Sequence, residues 1–254
     1  MNDALVLANA EDGILWLTLN RPERRNPLSS DMIAALSTAI KSGNDDAKIR
    51  VMVVKAAGPA FSAGHDLRET RRRNDEDQSD WEVRVDQLLQ DCAAMMTSIL
   101  HAPKPIIASV QGIASAAGCQ LVSACDLAIA SEDATFCTTP LVGIGRNLSR
   151  KHALEMALTG DQFDAATAER FGLINRSVPA SELEQATQEL AGKIASRSAE
   201  SIARGKSAFY RQVEMPLDKA FELANQVMRD NLTSDGDAKE GIGAFLEKRD
   251  PEWG

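Results

Sequence analysis

The chain is poor in the residues that build metal centres and disulfide frameworks. Among 254 residues there are three histidines, His65, His101 and His152, and four cysteines, Cys92, Cys119, Cys125 and Cys137. They are scattered and none forms a C-x-x-C pair, so neither a zinc site nor a disulfide scaffold is expected. No apolar run approaches the roughly eighteen residues that cross a bilayer. The start, Met1-Asn2-Asp3-Ala4, has no basic stretch followed by an apolar core and is not rich in Arg and Ser, which reads as neither a secretory nor an organelle leader. The expectation from this is a cytoplasmic protein. Positive charge is in deficit, with a formal net charge of −9, which excludes broad nucleic-acid binding. What the chain does have is a hydrophobic fraction of 44%, enough to build a full core and to exclude disorder.

Two segments carry the chemical signal. The first is Val110-Gln111-Gly112-Ile113-Ala114-Ser115-Ala116-Ala117-Gly118-Cys119-Gln120-Leu121. The apolar run Ile106 to Val110 before it reads as a buried strand, and the segment itself as a turn of small residues opening a helix. Small side chains let a ligand approach the backbone, and free N–H groups at a helix start favour an oxygen with negative charge. The second segment, Ala60-Phe61-Ser62-Ala63-Gly64-His65-Asp66-Leu67-Arg68-Glu69, follows the apolar run Val51 to Val54 and opens another helix-compatible stretch. Two such turns can each give one N–H to the same oxygen, the minimum for an oxyanion hole.

Around these segments, Leu5 to Leu7 and Ile14 to Leu19 read as strands about the Asp12-Gly13 turn. Ser29 to Ile40 has helical periodicity with Ser29 or Ser30 as N-cap. Val51 to Lys55 reads as a strand, Asn74 to Ser79 as a polar loop, and Trp81 to Leu100 as a helix ended by Pro103 and Pro105. Leu127 to Ala130 and Ala134 to Cys137 read as strands, and the chain is mostly helical from Ser149. This is an α/β pattern with a helical tail. Periodicity does not distinguish its topology from a doubly wound sheet.

The two segments together resemble the crotonase superfamily, the enoyl-CoA hydratase/isomerase family. The resemblance runs along almost the whole chain, through Leu15 to Pro22, Asn26-Pro27-Leu28, Cys125-Asp126-Leu127-Ala128, Leu158-Thr159-Gly160, Gly172-Leu173-Ile174 and Gly243 to Arg249. His65-Asp66-Leu67, Ala116 to Leu121 and Phe245 to Pro251 are similar to the subgroup called enoyl-CoA hydratase domain-containing protein 3. The resemblance implies a ββα spiral core over residues 1–197 and an α-helical C-terminal trimerisation region over 198–254. It implies a soluble homotrimer or hexamer that binds an acyl-CoA or enoyl-CoA thioester in fatty acid metabolism. Coenzyme A then enters as part of the substrate, without a separate cofactor or metal.

Carried over by position, the two oxyanion donors are the backbone N–H groups of His65 and Ala117. The His65 imidazole is read as structural or solvent-facing rather than as a base, although its ordinary pKa would suit one. Family hydratases use two glutamates to activate water and to protonate the α-carbon. The first position holds Gln120, whose amide orients water or substrate but accepts no proton. The second falls in Cys137-Thr138-Thr139-Pro140-Leu141-Val142, which has no carboxylate. Between Thr138 and Arg150 the chain is also shorter than the family pattern by a loop's length. Coenzyme A would lie along Ala63, Asp66 and Leu67, with Arg24 and Arg25 on its phosphates and Phe245 and Lys248 closing the nucleotide site from a neighbouring subunit. Arg21, Arg68, Arg71 to Arg73 and Arg249 complete the basic runs beside these loops, and a solvated face explains any one of them equally well. Asp126 is read as a cap or an ion pair.

The expected function is therefore an enoyl-CoA hydratase/isomerase-family lyase or isomerase that stabilises a thioester enolate, with weak or altered hydratase activity. The alternatives are a non-catalytic acyl-CoA-binding protein and a structural subunit. A serine hydrolase is disfavoured because Ser62 and Ser115 are not in a G-x-S-x-G elbow.

Overall fold

The computed structural model describes residues 4–138 and 142–254. It opens with an antiparallel hairpin, β1 (Val6–Glu11) and β2 (Ile14–Leu19). Asp12 and Gly13 both take positive φ, 50° and 78°, as a two-residue I′ turn requires. α1 (Ser30–Asp45) follows, its first turn capped by Ser29, whose side chain accepts from the Met32 N–H at 3.2 Å.

Repetition then sets in. Each unit has one strand in a large sheet, a short second strand in a small sheet, and a returning helical segment. The first unit is β3 (Val51–Ala56), β4 (Ala60–Ser62), the single turn α2 (Leu67–Thr70) and α3 (Gln78–His101). The second is β5 (Ile106–Val110), β6 (Ile113–Ser115) and α4 (Ala117–Ala124). The third is β7 (Leu127–Ser131), β8 (Thr135–Cys137), α5 (Val142–Asn147) and α6 (Arg150–Thr159). Then come β9 (Phe163–Asp164), α7 (Ala165–Phe171), β10 (Arg176–Val178) and α8 (Leu183–Ala195). The large sheet has the order β1-β2-β3-β5-β7-β10 and is parallel beyond the hairpin. The small sheet has the order β4-β6-β8-β9. This is the expected ββα spiral, not a doubly wound sheet.

Strand alternation divides the core. Met52, Val54, Ile106 and Ala108 face the main cluster, which also holds Met32, Ile33 and Leu36 of α1 and Met95 and Ile99 of α3. Val51, Val53 and Ile107 point to the other face, onto Trp16 and Ala191 of α8. Coverage on both faces explains why these strands read as unbroken apolar runs. Phe61 and Phe136, the largest fully buried side chains, anchor the short strands β4 and β8.

Three C-terminal helices remain, α9 (Ala199–Gln212), α10 (Leu217–Leu232) and α11 (Asp237–Glu247). They bury little of themselves. α9 has no buried residue, α10 only Ala220 and Leu223, and α11 only Ala244, whereas Phe221 is 61% and Phe245 82% exposed. A polar knot fastens α9 to the core. Lys206 Nζ donates to Asp126 Oδ2 at 2.7 Å, to Ile99 O at 3.0 Å and to Lys104 O at 3.1 Å. Tyr210 donates its hydroxyl to Asp126 Oδ1 at 2.9 Å, and the Ile106 N–H donates to Oδ2 at 2.7 Å. Asp126 is thus an ion-pair residue.

Some expectations need correction. The strand feeding the Ala116 turn is the three-residue β6, not β5, and β4 likewise intervenes after β3. So few small residues show no periodicity to reveal a strand. α3 starts at Gln78 and takes in the end of the supposed polar loop. β9 and β10, two and three residues long, interrupt the stretch expected to be helical.

Candidate active site

The two signal segments meet because β4 and β6 are parallel neighbours, with Ala60 opposite Ile113 and Ser62 opposite Ala114. The turns that follow them therefore leave the small sheet side by side. Ala116 turns the chain from β6 into α4 with φ 48° and ψ −119°, a conformation strained for a residue with a Cβ. Its N–H donates to Cys137 O at 2.8 Å and its carbonyl accepts from Gln120 N at 3.0 Å. Ala117 follows as the first residue of α4, and its N–H has no intrahelical acceptor.

Gly64, with φ +91°, lets the second turn touch the first. A Cβ there would stand 2.9 Å from Ala116 Cβ, 3.0 Å from Ser115 O and 3.3 Å from Ala117 N. Any side chain would push the turns apart. Gly118 makes a similar close approach, since a Cβ on it would lie 2.5 Å from Ser62 O. Three neighbouring donors are engaged. Gly64 N donates to Ser62 Oγ at 3.2 Å, Ala63 N to Arg25 O at 2.9 Å, and Leu28 N to Gly64 O at 2.7 Å. His65 itself forms a parallel bridge with Leu28. In such a bridge the residues on either side of His65 face Leu28, so the His65 N–H points the other way. Among the described residues, the N–H groups of His65 and Ala117 have no acceptor, and they sit on adjoining turns.

The His65 side chain is half-buried, with Nδ1 3.3 Å from Leu28 O. That carbonyl can only accept, which assigns the proton of a neutral ring to Nδ1. The imidazole braces the loop against Leu28.

Gln120 lies one turn along α4 from Ala117, and its amide has no protein partner among the described residues. It opens into a cavity of about 560 Å³ between α3, α4, α5 and α9, walled by Met96, Leu100, Phe209 and Val213. Arg146 and Glu214, which form an ion pair, stand on the same cavity. α5 is held close to α4, with Asn147 Nδ2 donating to Ser123 O at 2.6 Å. Burial pushes the thiols of Cys92 and Cys119 up to about 11 and about 12, and that of Cys125 higher still. All three are inert thiols at neutral pH. Among the described residues no group of His, Cys, Asp and Glu could hold a metal ion. Thr139, Pro140 and Leu141, part of the Cys137 to Val142 segment expected to match the second family glutamate, lie outside the described residues, as do Met1 to Asp3.

The structure brings some of the proposed coenzyme A contacts together. Through the Ala63–Arg25 hydrogen bond the exposed Arg24 and Arg25 stand beside the Ala63 to Leu67 loop. Asp66 caps α2, accepting from Arg68 N at 3.0 Å, and Leu67 is exposed. Phe245 and Lys248 are elsewhere in the chain: Phe245 lines a separate cleft with Leu232, Ile242, Leu246 and Trp253, and Lys248 ends α11. Arg72 is committed within its own loop, to Glu76 O at 2.9 Å and Gln78 Oε1 at 3.2 Å. Arg84 grips both oxygens of Glu76 at 2.7 Å, and this guanidinium holds the Glu76 carboxyl down to about 2.

The sequence reading gave no role to Asn26 and Gln111, which hold the site's frame. Asn26 is fully buried with φ 49°, accepts from Arg21 N at 2.7 Å, and donates to Ala57 O and Ala60 O, each at 2.9 Å. Gln111 Nε2 reaches Ala56 O and Gly58 O at 3.0 Å and Ala60 O at 3.1 Å. Together they clasp the link between β3 and β4 and so set where the His65 turn begins.

Comparison with known proteins decides the family. The profile of the enoyl-CoA hydratase/isomerase family matches residues 9–254. The chain belongs to the enoyl-CoA hydratase/isomerase family. The rat enoyl-CoA hydratase domain-containing protein 3, mitochondrial, is 41% identical to this family member over 98% of the chain and 84% of its own length. The human protein of that name has a crystal structure that superposes with a TM-score of 0.91 at 39% identity, covering 98% of this chain and 100% of the other. An enoyl-CoA hydratase from Mycobacterium smegmatis superposes at 0.90 and 40% identity, over 98% of each chain. These likenesses confirm the crotonase fold and the resemblance to the subgroup. The rat alignment occupies 259 positions against a chain of 254 residues, so the relative has residues without a counterpart here. The cytoplasmic expectation is overturned, because the rat relative is a mitochondrial protein by name. That expectation rested on the lack of a leader-like opening, which says nothing about compartment.

Proposed function

We propose that this family member binds an acyl-CoA thioester with its carbonyl oxygen between the N–H groups of His65 and Ala117. The observation that carries the reading is the Gly64 approach, which sets two unpaired donors on adjoining turns. Donors fixed by the fold stabilise charge on a thioester oxygen without reorganising as it develops. The product of that polarisation is an enolate, the shared intermediate of hydration and isomerisation. Gln120 stands where a carboxylate would move the proton, and it moves none, so hydratase activity is weak or altered. Loss of a positioned acid or base costs about a hundred- to ten-thousand-fold each.

In this reading Arg24 and Arg25 take the coenzyme A phosphates above Ala63, Asp66 and Leu67. Phe245 and Lys248 close the nucleotide site from a neighbouring subunit, since within one chain Phe245 stands on a separate cleft and Lys248 at the end of α11. The exposed apolar faces of α10 and α11, in the C-terminal region 198–254, support a homotrimer or a dimer of trimers. Light scattering that returned a monomer at micromolar concentration would remove that part of the reading.

The second reading, favoured by the Gln120 amide, is a protein that binds acyl-CoA without turning it over. One experiment separates the two. Deuterium incorporation at the α-carbon of a saturated acyl-CoA is followed for the parent and for Gln120→Glu. The enzyme reading expects exchange to rise in the variant and crotonyl-CoA hydration to stay low in the parent. A folded variant that binds the thioester without any gain in exchange gives the binding-protein reading.

A further inference from the structure

Two clefts flank the same pair of aromatic side chains. The cavity into which Gln120 opens is lined on its α9 side by Phe209, Tyr210 and Val213. A second, shallower cleft of about 330 Å³ lies beyond them, lined by Pro105, Leu127, Ile194, Ile202 and Lys206, and again by Phe209 and Tyr210. The two rings pack edge to face, with centroids 5.4 Å apart and planes at 78°. They form the partition between the clefts.

The partition is fixed at one ring and loose at the other. Tyr210 is tied through its hydroxyl to Asp126 Oδ1 at 2.9 Å, and Asp126 is tied in turn to Lys206 and to the start of β5. Phe209 has no polar tether and is 57% exposed. The far cleft offers aliphatic lining and few polar groups, which suits a hydrocarbon chain and not a second headgroup.

We propose that Phe209, seated against the tethered Tyr210, sets the acyl-chain length this protein accepts. The proposal rests on the acyl-CoA reading of the Gln120 cavity. With Phe209 in place the cavity ends at the partition and holds a short acyl group. With the ring removed, the hydrocarbon tail of a long-chain thioester runs past Tyr210 into the second cleft. Tyr210 is a positioning residue: it keeps the Phe209 ring upright and does not itself set the limit.

The test is calorimetric titration with butyryl-, octanoyl- and palmitoyl-CoA of the full chain, as the parent and as Phe209→Ala, Phe209→Trp and Tyr210→Phe. The parent is expected to prefer the shorter thioesters. Phe209→Ala should raise palmitoyl-CoA affinity relative to butyryl-CoA by about tenfold for every two methylenes newly buried. Phe209→Trp, which removes no packing, should move the ratio the other way. Tyr210→Phe keeps the ring and loses the tether, so its shift should follow that of Phe209→Ala and be smaller. A parent that binds butyryl-CoA, together with Phe209→Ala and Phe209→Trp variants whose palmitoyl-to-butyryl ratio is unchanged, overturns the partition. A parent that binds none of the three thioesters overturns the acyl-CoA reading itself, and the partition with it.

Discussion

Replacing Lys206 with methionine isolates the worth of the knot that holds α9. The side chains of Lys206 and Asp126 are 7% and 14% exposed, so this ion pair is screened far less than the surface pairs. Methionine keeps the bulk of the lysine stem and removes the ammonium, with its bonds to Asp126, Ile99 O and Lys104 O. Asp126 is then a buried carboxylate without a countercharge. Breaking a buried pair on one side costs about 3–5 kcal/mol. Asp126 keeps two donors, the Ile106 N–H and the Tyr210 hydroxyl, which places the expected loss at the lower end, about 3 kcal/mol. For a chain of this size that corresponds to a fall in Tm of about 6–12 °C. The assay is urea unfolding followed by far-UV circular dichroism at fixed protein concentration, because assembly shifts apparent stability. Adding Asp126→Asn to the first change removes the stranded charge and should return about half of the loss. A Lys206→Met loss below about 1 kcal/mol would refute the reasoning, because the pair would then count for no more than an exposed one.

Gly64→Ala puts a methyl group into contact with Ala116 and forces the two turns apart by several tenths of an ångström. If one N–H leaves hydrogen-bond range, α-proton exchange in the Gln120→Glu background should fall by about a hundred- to a thousandfold. Unchanged exchange would show that the turns do not form the hole. The pH response of the loop after α2 follows from Glu76, whose carboxyl lies at about 2 in the fold against an ordinary 4.5. Its grip on Arg84 is complete above pH 4.5 and is lost as the pH falls toward 2. Hydrogen exchange over residues 70–78 should therefore accelerate at pH 3.5 relative to pH 6 after correction for the intrinsic rate. Glu76→Gln should be open at both values, and equal pH sensitivity in the two proteins would count against the pairing.

Much of this was legible in the residues. The hairpin at Asp12-Gly13 and the Ser29 cap follow from local chemistry that acts over a few positions. The buried strands at 51, 106 and 127 show as apolar runs, and α1 and α3 show as stripes at helical spacing. What escaped is what depends on distant partners. β4, β6 and β8 have three residues each, too few for a period, and exist because they pair with one another. Asn26 and Gln111 matter through carbonyls 30 to 60 positions away, which no local pattern announces. Within the site, the turns at Gly64 and Ala117 were visible as runs of small residues. Their adjacency was supplied by the resemblance and is displayed by the β4–β6 pairing. Arg24 and Arg25 stand out in the sequence as charges, but it is the Arg25 carbonyl that binds them to the Ala63 to Leu67 loop.

The placement of the two proposed donors on the main chain has a consequence for how this protein can vary. A substitution at His65 or Ala117 changes a side chain and leaves the N–H where the sheet puts it. In the proposed reading, polarising power is therefore insulated from most mutations at the very positions that supply it, and it is exposed at Gly64 and Gly118, whose lack of a Cβ lets the turns approach. Proton handling would have the opposite exposure in that reading, because at the Gln120 position it would depend on the end group of a side chain. A single codon can add or delete an acid there without disturbing the grip on the carbonyl. On the proposed function, such a scaffold would lose and regain turnover repeatedly while its affinity for the thioester persists, which would make ligand retention and catalytic competence separable traits.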